Sequence, residues 1–415
     1  MNNEGVYNAI YTSKKCDDTT NDDWVVNVTY VDETIYISIA TGQPVSQHLK
    51  ADSIVPYTTE GNEVDDGYTT SGLTPTFHML EEKYYSASSY VIRLSNGHFI
   101  VIDGGINSEA PYLMDYMTSL IPEDGKKPII EAWVLSHGHL DHVGAMMGFV
   151  QNASVYAGKV YLEGIYFSEP NDSVTTAYDD PHHQYMGYIE KITSVFKTTK
   201  GKEADIYRMY TGQRYTFDGV TMDVMMAQEL LTASDYAYNE SGVEGVKNVF
   251  NETSTWTMFT MNGKKLLTAG DAAISSTKRI VSMYSESYLT VDAFTALHHG
   301  MNLNRGLSYS PFSTNNDAFC SALTVTGVVL YSYQKDWLDL DANASEYIIV
   351  DRNQDFIDGQ TELAGLSTTY ADGSTGTAKY LYYGQGTSVL TFGDDGITAE
   401  VKDNFDWETI ANKWQ

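Results

Sequence analysis

The sequence predicts an α/β fold whose strands end in polar loops, and three features carry that expectation. Tyr90–Leu94 and Phe99–Asp103 read as a hairpin turning at Asn96-Gly97, a dipeptide strongly associated with tight connections between strands. Thr255–Met261 and Lys264–Thr268 read as a second hairpin across Asn262-Gly263. Between them, Ala110–Ile121 has the apolar spacing of a helix, and the β-rich run Ile129–Leu135 leads directly into a cluster of histidines.

The remaining elements follow in order. Residues 1–75 contain short β-like runs, Trp24–Tyr30 and Thr34–Ser38, and then a polar stretch at Thr58–Thr74, so they read as a β-rich extension and linker preceding a main domain at 76–415. Downstream, Lys159–Phe167 reads as strand, His183–Phe196 as helix and Thr221–Ala227 as strand. The tail Ser367–Val401 alternates like strand and is rich in Tyr, Thr and Gly. No internal repeat interrupts this order.

Composition narrows the function classes. A chain of 415 residues, 42% hydrophobic and 19% charged, can bury a substantial core and offers no run of roughly 18 apolar residues that would cross a bilayer. Its formal charge of −30, from 55 acidic against 25 basic residues, creates a far field that repels long nucleic acid. A small-molecule substrate is expected instead, and oligomeric state is left open. Cys16 and Cys320 form no C-x-x-C spacing, so neither a disulfide scaffold nor a cysteine zinc knuckle is expected. The amino terminus lacks the basic and apolar regions of a secretory signal. That fits a cytoplasmic protein as written, or the mature form of an exported one.

The chemistry concentrates in Ser136-His137-Gly138-His139-Leu140-Asp141-His142-Val143-Gly144. Neutral imidazole and carboxylate are the natural ligands of zinc, which needs several of them converging at roughly 2.0–2.2 Å. Three histidines and an aspartate within six residues, placed where a strand opens into a loop, supply such a set. Gly138 and Gly144 are expected to give that loop its backbone freedom.

H-x-H-x-D-H after an apolar strand resembles the signature of metallo-β-lactamase-fold hydrolases, and Asp103-Gly104-Gly105 sits where that family carries an Asp-Gly-Gly turn. Asn251–Ser254, the second hairpin with Leu267–Asp271, and Val291–Gly300 resemble its later strands and ligands. Leu297-His298-His299-Gly300 is most similar to the branch with the competence-protein hydrolase domain and the phosphorylcholine esterases. The resemblance spans about residues 80–305 and implies an αββα four-layer sandwich with two divalent ions, zinc expected, manganese or iron possible. It implies that His137 and His139 hold the first metal, Asp141 and His142 the second, and Asp271 both, with one histidine of the His298-His299 pair as a further ligand, His299 in the favoured order with His298 facing substrate, or the reverse. Asp103 would orient the histidine loop from outside.

One departure stands out. The family often places a third first-metal histidine after a middle strand, but Thr221–Ala227 is followed by Gln228-Glu229. Glu229 could act as an oxygen ligand or be a solvated strand end, and His182 and His183 could form a substrate-facing lid or a surface loop. Tyr166, Tyr178 and Tyr185 are candidates for an aromatic substrate wall, or for plain packing. His48, His78 and His98 are isolated and read as structural or exposed.

Two ions roughly 3.5–4 Å apart can share a water and lower its pKa toward about 7. With Asp141 and His298 as the catalytic residues, the expected reaction is hydrolysis of a small phosphodiester or phosphomonoester by a metal-bridged hydroxide. Attack on a lactone, thioester or β-lactam carbonyl is the alternative, and a metal-binding interaction module without turnover is the third.

Overall fold

A computed structural model describes the backbone at residues 7–12, 24–31 and 34–41. From 68 to 414 it describes all but 69, 83–86, 124, 169–184, 210, 228–248, 285, 301–316, 335–352 and 404. Strands β1 (Tyr7–Thr12), β2 (Trp24–Val31) and β3 (Thr34–Thr41) form their own antiparallel sheet.

The main body begins with β4 (Thr76–Met79), β5 (Ser89–Arg93), β6 (Phe99–Asp103), helix α1 (Ala110–Ser119), β7 (Ile129–Val134) and helix α2 (Leu140–Gln151). The stretch read as one strand at 159–167 is split into β8 (Tyr161–Leu162) and β9 (Gly164–Phe167), and β10 (Asp205–Arg208) follows a helix at Tyr185–Val195. Strands β11 (Arg214–Phe217), β12 (Val220–Met226), β13 (Trp256–Met261), β14 (Lys264–Thr268), β15 (Thr290–Thr295) and β16 (Thr324–Gln334) build a second sheet. The tail supplies β17 (Leu366–Thr369), β18 (Thr375–Ala378), β19 (Tyr380–Tyr383), β20 (Ser388–Gly393) and β21 (Gly396–Val401).

The first sheet runs β10-β9-β7-β6-β5-β4-β20-β21-β17-β18, with β8 on β7, and the second runs β11-β12-β13-β14-β15-β16-β19. Phe77, Ile92, Ile100 and Val134 of the first meet Met222, Phe259, Leu266 and Ala293 of the second in one core. On the outer face of the first sheet, Val101 and Trp133 pack on Leu113, Met114 and Phe149 of α1 and α2. On the outer face of the second, Phe294 and Val329 pack on Ile280, Phe319 and Phe356 from three further helices. The result is a helix-sheet-sheet-helix sandwich. Residues alternating along each strand therefore find an apolar layer on both sides. None of its described helices is long and apolar enough to cross a membrane.

Both hairpins form, by different turns. Asn262 and Gly263 both have positive φ, 48° and 72°, as a two-residue turn matched to strand twist requires. At the first hairpin Arg93 pairs with Phe99, leaving a five-residue connection in which only Gly97 has positive φ. There the Asn96 side chain accepts a hydrogen bond from His98 N at 2.9 Å, an Asx-type closure.

The topology gathers the site. β6 and β7 run parallel in one sheet, and β14, β15 and β16 run parallel in the other. Their carboxyl ends lead into Asp103, the 136–142 loop, Asp271 and His298-His299, which is where open α/β sheets bind ligands. Gly138 and Gly144 do not have the positive φ that backbone freedom would show. Gly144 lies inside α2, and a Cβ there would sit 2.5 Å from Ile106 Cα and 2.6 Å from Asn107 N. Close approach of helix to backbone, rather than tight wrapping, is what this glycine supplies.

Candidate metal centre

Two sets of donor atoms converge. One comprises Asp141, His142, Asp271 and His299, the other His137, His139 and Asp271, and in each set the ligand atoms lie within 4.8 Å of one another. Asp271 belongs to both. Its Oδ1 lies 2.9 Å from His142 Nε2 and 3.6 Å from His299 Nε2, while Oδ2 lies 3.8 Å from His137 Nε2 and 3.4 Å from His298 Nε2. The two carboxylate oxygens thus face different donor sets.

The histidine loop is held from behind by Asp103. Its carboxylate accepts hydrogen bonds from Ser136 N and Ser136 Oγ, each at 2.8 Å, and lies 2.8 Å from His142 Nδ1. With Nδ1 engaged, His142 presents Nε2 to the site, the arrangement that fixes tautomer and orientation in metal-ligating histidines. Asp103 itself has φ 59°, and its carbonyl accepts a hydrogen bond from Trp133 Nε1 at 2.6 Å, tying the turn to the helix-side core.

His298 and His299 both have left-handed backbone, φ 48° and 59°, conformations that cost about 1–3 kcal/mol each for such residues. The kink sends the two rings different ways. His299 Nδ1 lies 2.8 Å from Ser332 Oγ, and its Nε2 lies 3.3 Å from Asp141 Oδ2. His298 belongs to neither donor set; its Nε2 lies 3.5 Å from Asn251 Nδ2.

The donors also fit a metal in their unspent atoms. His142 Nε2 and His299 Nε2 are buried and make no hydrogen bond among the described residues, although carboxylate oxygens stand 2.9 and 3.3 Å away. Imidazole nitrogens and carboxylates aimed at a common point without hydrogen-bond geometry are what a zinc-type ion would bind.

The electrostatics reflect burial and the mutual crowding of charged groups. Burial alone would lower His142, but the flanking carboxylates of Asp271 and Asp103 hold it well above its ordinary value. His137 is pushed well below its ordinary value by burial and by His142, and His298, chiefly by burial, down to about 4. Burial would raise Asp141 and Asp271, yet the facing histidines hold both below the usual carboxylate range.

Of the other expected residues, some are not described and some are placed away from the centre. Glu229, His182 and His183 lie outside the described residues, as do Tyr178, His48 and Cys16. Tyr166 is 1% exposed and packs, tilted or edge-on, against Tyr207, Tyr215 and Phe217 between the sheets, so it is packing and not a substrate wall. Tyr185 opens the helix that follows β9. His78 is buried between Thr76 Oγ1 and Tyr116 OH, and His98 bonds Glu131 and the Tyr68 carbonyl, so both are structural. Two residues beside these donor sets carried no functional signal in the sequence: Ser88 and Ser332. A lone serine in a strand or loop has no spacing to mark it.

Residues 84–203 match the sequence profile of the Metallo-beta-lactamase superfamily. Over that stretch the chain is similar to the superfamily. The matched metallo-β-lactamase stretch contains the loop 136–142 but ends before Asp271 and His299, which come from the second sheet. No curated relative matches the chain. Solved structures similar to it include the metallo-β-lactamase fold protein YhfI of Bacillus subtilis, at 11% identity over 76% of this chain and 98% of that one, TM-score 0.38. A diphosphatase of the PhnP family shares 12% identity over 62% and 85%, TM-score 0.32. BJP-1, a subclass B3 metallo-β-lactamase of Bradyrhizobium japonicum, shares 14% over 71% and 92%, TM-score 0.30.

Proposed function

We propose that the chain is a dinuclear metal-dependent hydrolase acting on a small phosphodiester or phosphomonoester. The observation that carries it is Asp271, whose two oxygens face two separate donor sets. Two divalent ions held there would polarise a water for attack and draw charge off the leaving oxygen. His137 and His139 would hold one ion, Asp141, His142 and His299 the other, with Asp103 and Ser332 keeping the Nδ1 atoms of His142 and His299 occupied. His298, outside both sets and with its Nε2 3.4 Å from Asp271 Oδ2, would hydrogen-bond a phosphoryl oxygen or the leaving group.

Charge supports a small phosphate ester over other substrates. Two divalent ions against Asp141 and Asp271 leave a local charge of roughly +2, while the −30 of the whole chain is screened beyond roughly 8–10 Å. A small anion reaches the centre; long DNA must cross far more acidic surface. Zinc- or manganese-loaded protein is therefore expected to cleave bis(p-nitrophenyl) phosphate faster than a simple lactone or a chromogenic β-lactam, with single-stranded DNA poorest. An acyl substrate outpacing the phosphodiester tenfold, about 1.4 kcal/mol in barrier, would reverse the choice in favour of carbonyl chemistry.

A further inference from the structure

The donor set of the second metal draws Asp141 and His142 from the start of α2, which follows β7 of one sheet, and Asp271 and His299 from the segments that follow β14 and β15 of the other. Its geometry therefore depends on how the sheets are held together at their carboxyl edge. His299 Nδ1 lies 2.8 Å from Ser332 Oγ, at the end of β16 in the second sheet. Ser332 Oγ lies 3.4 Å from Ser88 Oγ, beside β5 in the first sheet, and Ser88 Oγ lies 3.4 Å from Tyr90 OH. The Ser88 backbone goes further: its N–H donates to the Asp141 carbonyl at 2.8 Å, and its carbonyl accepts from Gly104 and Gly105 N–H at 2.9 and 2.8 Å. Ser88, Tyr90, His299 and Ser332 are each at most 4% exposed, so water does not compete for these contacts.

We infer that Ser332 and Ser88 form a latch between the sheets that positions His299 against Asp141 and so sets the affinity of the second metal. The inference rests on His299 being a ligand of that metal. With His299 Nε2 turned to an ion, Nδ1 carries the ring proton and donates it to Ser332 Oγ. The Ser332 hydroxyl then meets Ser88, whose backbone already fixes Asp141 and the Gly104-Gly105 turn. One serine orients a ligand directly; the other joins that ligand to its opposite number. His142 has a carboxylate, Asp103, in the same place, whereas among the described residues His299 has a neutral hydroxyl. Ser332→Ala leaves the buried Nδ1–H with no acceptor, and loss of such an outer partner commonly lowers metal affinity 10- to 100-fold.

The test is a zinc titration of the full chain against a competing chromophoric chelator, with His299→Ala identifying the equivalent that belongs to the second set. In Ser332→Ala that equivalent should weaken roughly 10- to 100-fold while the other changes less than about twofold. Ser88→Ala should shift the same equivalent in the same direction by less. The double variant should be no worse than Ser332→Ala alone, because both changes open one latch. Ser332→Thr, which keeps the hydroxyl, should restore affinity. If wild type holds two ions and Ser332→Ala leaves both affinities unchanged, or weakens both alike, the latch is wrong while the dinuclear centre stands. Wild type holding a single ion would overturn the dinuclear centre, and the latch would fall with it only if His299→Ala left that ion's affinity unchanged, so the two failures are distinguished in the same titration.

Discussion

Asp271→Ala is expected to lower hydrolysis by about a thousandfold or more, several kcal/mol of barrier, and to cut bound metal from near two ions per chain to below one. The cause is position. Asp271 is 1% exposed and is common to both donor sets, so its removal takes one anionic ligand from each. The backbone around it is held independently, because Asp271 N donates to Ser254 Oγ and His298 N to the Gly270 carbonyl. Removing a buried carboxylate at a strand end also leaves the apolar layers untouched, so far-UV circular dichroism should match wild type. Turnover of a phosphodiester near the wild-type rate in this variant would remove Asp271 from the chemistry altogether.

Gly144→Ala has the largest effect expected on stability, and its sign is set by two opposed magnitudes. In a free helix interior, alanine is favoured over glycine by about 0.5–1 kcal/mol. Here the new Cβ would lie 2.5 Å from Ile106 Cα and 2.6 Å from both Asn107 N and Ile106 C. All three are backbone atoms and cannot rotate away, and overpacking of this kind costs typically 1–3 kcal/mol or more. Destabilisation should win. Gly187→Ala, in the helix Tyr185–Val195 with nothing within 4 Å of the added carbon, should instead be neutral or stabilising by up to about 1 kcal/mol. Urea unfolding of both variants checks the pair. A Gly144→Ala protein as stable as wild type would mean that α2 does not rest on the 106–107 backbone.

How much of this was legible in the sequence depends on whether a residue acts through local pattern or through distant contact. Strand alternation, Asn-Gly turns and the run His137–His142 are local, and they marked the hairpins, β7 and the ligand loop. The split of the 159–167 run into β8 and β9 was not visible, because Glu163 interrupts it only through bonds to Ile130 O and Asp205 N, both set by tertiary pairing. Asp103 was read as an orienting group, and its bonds to Ser136 and His142 fit that role. Gly144 was misread, since nothing in a helical stretch shows which backbone will pack on it. Ser332 and Ser88 lie 244 positions apart, and only the stacking of two sheets brings them to one histidine. Tyr166 was ambiguous until the second sheet covered it.

The central claim is that Asp271 joins two metal positions in one centre, and the metal content of the purified chain tests it most directly. After reconstitution with zinc and removal of excess ion, elemental analysis should give close to two ions per chain. A value of one or less after reconstitution would contradict the dinuclear centre, and with it the hydrolytic mechanism built on it.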